Sequence, residues 1–171
     1  EISAGAGFGT TGEVIEFAVR ENNYLGKGLG VDTAISLGSN KIIGKFNVTN
    51  PNFNNTDKSV RFGLEALEYD RMSTFGYKSN RIGSSLGTNF EYLDDFRLGF
   101  ETSIFLEKID TDATASARQK LQEGNYFDTY LNFDFDYDKR NQKFKTSDGF
   151  RSYYQLGLPV VINKNTLKNY Y

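Results

Sequence analysis

Gly7, Gly9 and Gly12 of "GAGFGTTG" spell G-x-G-x-x-G, and Asp32 follows about twenty residues later, where a dinucleotide-binding fold keeps its ribose-binding acid. Such a fingerprint works only between a buried strand and a helix whose N-terminus meets the pyrophosphate. The residues after Gly12 alternate instead, with Ile15, Phe17 and Val19 set against Glu16, Ala18 and Arg20. Period two is a strand with one apolar and one wet face, so no nucleotide site is expected. "DFDYD", Asp134 to Asp138, opens like a calcium loop, but Lys139 and Lys145 occupy the places of its glycine and its closing glutamate. The three aspartates read as a stripe facing water. The carboxylate pairs Glu65 with Glu68 and Asp94 with Asp95 have no spacing that suits acid-base work.

The 171 residues contain no histidine and no cysteine. Histidine bases, Ser-His-Asp chemistry, thiol chemistry and disulfides are thereby excluded. The expectation is a protein that is not an enzyme and takes neither cofactor nor metal. Twenty basic and 22 acidic residues are well mixed, for a net charge of -2. No basic patch speaks for a nucleic-acid partner. The chain starts at Glu1, and its only methionine is Met72, so it is expected to be a processed product or a piece of a longer chain. It is long enough for one domain.

Alternation recurs along the whole chain. Leu29, Val31, Thr33, Ile35 and Leu37 oppose Gly30, Asp32, Ala34, Ser36 and Gly38. Ile42, Phe46 and Val48 follow a turn at Ser39-Asn40, and Phe62, Leu64 and Ala66 follow the loop "TNPNFNNTDKS". Further strands are expected at about 81–92, 97–104, 131–138 and 151–158. With the opening segment and 14–20, nine strands run in up-and-down order, joined by connections expected to alternate between a short end and a long end. Only Asp112 to Asn125, with its alanines and terminal glycine, reads as a short helix in a surface loop.

A soluble sheet also alternates, so composition must choose the solvent. Glu16, Arg20, Asp32, Lys45, Arg61, Glu65, Glu91, Arg97, Glu101, Asp134 and Asp136 all fall on one face, in mid-strand. In a barrel that face is a wet lumen, because a charge on the lipid face near the midplane costs about 2–4 kcal/mol. Aromatics near strand ends (Phe8, Tyr24, Phe53, Tyr92, Phe96, Tyr126, Phe127 and Tyr130) suit interfacial girdles. These features favour an antiparallel transmembrane β-barrel and leave a soluble sandwich as the alternative.

Three stretches carry a family resemblance. They are "ENNYLGKG", with its turn Asn22 to Gly28; "VTNPNF", with Thr49 to Phe53; and "YDKRNQKFKTSDGFR", with Tyr137 to Asn141 and then Thr146 to Gly149. In order and spacing they resemble the start of the barrel of the Omp85 superfamily outer-membrane assembly factor, as does the glycine-rich opening "AGAGFGTTG". One departure is Lys145-Thr146, where that family often has proline. "SVRFG", Ser59 to Gly63, looks like the family's Arg-Gly-Phe motif but lacks its glycine and sits in the wrong strand.

The resemblance implies that residues 1–171 are about nine strands of a sixteen-stranded barrel in the outer membrane of a Gram-negative bacterium, without the POTRA repeats and the later strands. It implies assembly and insertion of outer-membrane proteins, with nascent β-barrel proteins and outer-membrane lipids as partners. Accessory assembly lipoproteins would bind through the missing POTRA repeats. It further implies that the first strand, Ser3, Ala4, Gly5, Ala6, Gly7, Phe8, Gly9 and Thr10, is a lateral gate that templates a client's strand. Read from the residues alone, the same glycines relieve crowding on a curved lumen wall, and the barrel is equally a passive porin or receptor. A nine-stranded piece leaves both outer edges unpaired. By itself it is expected to aggregate, pair with itself or curl into a smaller barrel.

Overall fold

The computed structural model describes residues 1–9 and 12–161, which form a single antiparallel sheet. Its strands are β1 (Ile2–Gly9), β2 (Gly12–Tyr24), β3 (Leu29–Gly38), β4 (Lys41–Asn50), β5 (Ser59–Arg71), β6 (Tyr77–Leu93), β7 (Phe96–Thr111), β8 (Gly124–Asp138) and β9 (Arg151–Val161). They lie side by side in chain order, the meander that the alternation predicts. Among the described residues β1 and β9 are the two ends of that order and the sheet is not closed.

Register keeps like with like. Phe17 faces Ile35, Phe46 faces Leu64 and Phe100 faces Phe133, while Glu16 faces Ser36 and Lys45 faces Glu65. Partners in an antiparallel ladder share a face, so two continuous surfaces result. Every buried strand residue, namely Gly63, Gly83, Gly87, Gly99, Ser103 and Tyr126, lies on the polar one. The apolar surface stays open, with Ile82 at 64%, Leu106 at 58% and Phe17 at 53% exposure. A soluble sandwich would cover that surface with a second sheet. Among the described residues there is one sheet and no such cover, which removes the sandwich alternative.

The apolar surface has defined limits. Outward positions of β7 from Phe96 to Leu106 carry no charge, and ten residues tilted by about 40° rise roughly 25 Å. Above that level Glu68, Asp70, Lys78, Lys108 and Asp110 point outward. They are tied by Lys78–Glu68 at 2.7 Å, Lys78–Asp70 at 3.4 Å and Lys108–Asp110 at 2.9 Å. β5 to β8 therefore extend past the apolar band into water. The sequence pattern misses these extensions, placing β6 at about Arg81 when it starts at Tyr77, because both faces are wet there and alternation fades.

Three further expectations change. The stretch Asp112 to Asn125 holds only one helical turn, α2 (Ala117–Lys120), capped reciprocally by Ser116 and Gln119; Asn125 already belongs to β8. A second single turn, α1 (Met72–Phe75), ends at Gly76 in a left-handed conformation. Nor do the connections sort by length. One end carries 39–40, 72–76 and 112–123, the other 25–28, 51–58, 94–95 and 139–150. Finally, Tyr126 and Tyr130 sit on the polar face, opposite Glu107 and Ser103, and so do not belong to an outward girdle.

Candidate functional site

Among the described residues β1 is paired on one side only, with β2. Its other edge presents alternate backbone N–H and C=O groups without a partner strand in the described sheet. Ser3, Gly5 and Gly7 share the polar face with Ala18, Glu16 and Val14, and Ile2, Ala4 and Ala6 share the apolar face with Val19, Phe17 and Ile15. Phe8 faces outward too, 86% exposed. Gly9 closes the strand against Gly12, and Thr10 lies outside the described residues. The equal spacing of the glycines thus places them on one face, as read from the sequence.

What surrounds them differs from the expected crowding. A Cβ built on Gly5 or Gly7 meets nothing within 4 Å. Elsewhere on the same face, a Cβ on Gly63 would sit 2.7 Å from Ser85 Oγ, and one on Gly83 would strike the Phe105 ring. A side chain at those glycines would have to displace its neighbours; no atom of the described chain sets such a limit at Gly5 or Gly7.

The rest of the polar face is a lattice of paired charges. Lys45 meets Glu65 at 3.4 Å, and Arg61 reaches over Gly87 to Glu101 at 3.0 Å. Arg20 pairs with Asp32, the residue that the glycine fingerprint singled out. Asp136 accepts two bonds from Arg151, at 2.7 and 2.8 Å, and Asp134 accepts from the Tyr153 hydroxyl at 3.0 Å. The "DFDYD" aspartates are therefore a stripe with a donor for each, Asp138 being gripped by Arg140. Among the described residues no cluster of three carboxylates could hold a metal. A hollow of about 350 Å³ lies over Gly63 and Gly83. At its wall the Arg81 guanidinium stacks 3.8 Å above the Phe105 ring, which in turn meets Tyr130 edge-on. The sequence reading missed this stack. Its signal is Phe105 itself, an aromatic at a polar-face position facing Gly83.

The three motif turns have physical grounds. In Asn22 to Gly28, Leu25, Gly26 and Gly28 take positive φ, and the Asn23 side chain accepts from the Gly28 N–H at 2.7 Å. In Thr49 to Phe53, Asn50 accepts from the Asn52 N–H at 3.1 Å. In the third, Asn141 accepts from the Ser147 and Asp148 N–H groups, and Gly149 has a φ of 87° with the Lys139 carbonyl where a Cβ would be. Lys145 has a φ of 54°, a conformation closed to proline at that position.

These turns occupy the stretch that a family model recognises. The model of the Omp85 superfamily domain matches residues 23–170. The chain belongs to the Omp85 superfamily. No curated protein matches it in sequence. Among solved structures, this Omp85 chain is similar to the crystal structure of BamA from Haemophilus ducreyi lacking POTRA domains 1-3, with a TM-score of 0.67 and 17% identity. The match covers 94% of this chain and 34% of that one, so the chain spans about a third of the BamA it resembles. At that identity the likeness is one of fold.

Proposed function

We propose that this chain is the opening part of an outer-membrane Omp85 barrel that assembles and inserts other β-barrel proteins, with β1 as the templating edge. Residues 1–171 would then form part of one barrel domain completed by later strands and preceded by POTRA repeats, which would hold accessory lipoproteins. The clients would be nascent outer-membrane barrels, in a Gram-negative outer membrane. No catalytic group is needed, because the client's own folding supplies the free energy.

The observation that carries the reading is the open space over Gly5 and Gly7 on a strand paired along one edge. Unsatisfied backbone groups are costly in hydrocarbon, so a free edge recruits a strand. Glycine lowers the stability of that strand's own pairing and presents no side chain to an incoming sequence. The lateral gate would thus comprise Ser3 to Gly9, and Thr10 if the strand continues.

The test is client folding by the full-length parent reconstituted in vesicles. Replacing Gly5 and Gly7 together by valine, a strong strand former that projects a branched side chain, should slow client insertion at least tenfold while the parent still folds. Unchanged insertion would return the glycines to a passive role. Ion conductance with no client folding would favour a porin.

A further inference from the structure

The connection from β8 to β9 is braced as a loop. Lys139 N–H donates to the Phe150 carbonyl at 2.9 Å and Asn141 N–H to Asp148 at 3.1 Å. Gln142 bonds Lys145 and Thr146 across the tip, at 2.7 and 2.9 Å. At that tip Phe144 is 80% exposed. On either side stand Lys143 and Lys145, with Lys139 at the base, and none of the three forms an ion pair among the described residues. Arg140 is committed to Asp138, and the loop's one acid, Asp148, is turned onto the Gly149 N–H.

The loop also has a place relative to the apolar band. Phe96 meets Tyr137 edge-on at 6.3 Å, and Tyr137 meets Phe150 at 5.6 Å. This aromatic row runs along the outward face at the end of the band, as interfacial belts do. The basic tip lies in the connection that this row borders.

We infer that the tip Lys139–Lys145 is an anchor for an anionic phospholipid surface: Phe144 enters the interface, and Lys139, Lys143 and Lys145 meet lipid phosphates. A self-braced loop presents the aromatic at little ordering cost, and an apolar side chain ringed by lysines suits an anionic bilayer surface. The inference rests on the membrane placement in the proposed function, and its test separates the two.

A cysteine-free full-length parent would carry a polarity-sensitive fluorophore at Phe144→Cys or, as a mid-band control, at Ile82→Cys. Each is reconstituted in phosphatidylcholine vesicles with or without phosphatidylglycerol, and brominated acyl chains serve as quencher. The probe at 82 should be quenched in both lipids. The probe at 144 should be quenched more strongly with phosphatidylglycerol, and the Lys139→Gln, Lys143→Gln, Lys145→Gln variant should lose that gain, by about fivefold in lipid partition per lysine. No quenching at 144 beside full quenching at 82 overturns the anchor and keeps the membrane placement. A blue shift at 144 without quenching overturns it in favour of a covering protein. No quenching at either position overturns both readings.

Discussion

Glycine has two roles in this chain, and single residues separate them. Gly149 must lack a side chain: its φ of 87° and the Lys139 carbonyl standing where a Cβ would be leave no room. Gly149→Ala should therefore cost about 1–2 kcal/mol from the backbone alone, with the clash added. Gly5→Ala should stay within about 0.5 kcal/mol of the parent, since its Cβ meets nothing within 4 Å. Urea unfolding of the two variants in the full-length parent measures the contrast. The face on which Gly5, Gly7 and Gly9 lie was legible, because alternation assigns it. The space around them was not, since it depends on which side chains of β2 reach across, and none does.

At the scale of elements, strand position relative to the apolar band decides what a substitution does. Ile104 points outward within the band and Asn80 points outward at its upper limit. Ile104→Lys should destabilise by about 2–4 kcal/mol and Asn80→Lys by no more than about 1 kcal/mol, read from folding midpoints in vesicles. The same geometry explains what the pattern could reveal. Nine strands were readable where one face is lipid and the other water; the ends of β5 to β8 were not, being wet on both sides.

Where those extensions end, two loops interlock. Asp112 N–H donates to the Gly76 carbonyl at 2.8 Å, and the Asp112 carboxylate accepts from the Thr114 hydroxyl and N–H at 2.6 and 2.7 Å. Those bonds, the hydroxyl's first, hold the Asp112 carboxyl below its ordinary value. A depressed carboxyl contributes order above its unfolded pKa and loses it as pH falls through the folded one. Amide exchange across 112–120 should therefore quicken only on the acid side of the usual carboxylate range, and Asp112→Asn should abolish that dependence.

For the whole molecule, the sheet is inverted relative to a soluble protein, with paired charges within and apolar residues without. Lipid can cover the apolar face, but it cannot hydrogen-bond an edge strand. The two ends of the described sheet therefore have edges that lipid leaves unsatisfied, and the proposed function has later strands of the parent cover them. That β1 lies at an end was readable from strand order. What pairs with it was not, because β1 encodes its face and not its partner. The family resemblance was carried by turn residues such as Gly28 and Gly149, whose positive φ restricts substitution.

If β1 is a template, disulfide capture in living cells will trap a client strand beside it. Single cysteines at Gly7, Phe8 and Gly9 of the full-length parent would be paired with cysteines along the last strand of a nascent outer-membrane protein. Strand templating predicts capture that shifts by one client residue for each residue moved along β1. Capture at none of the three positions, with the parent normally folded and surface-expressed, would contradict it.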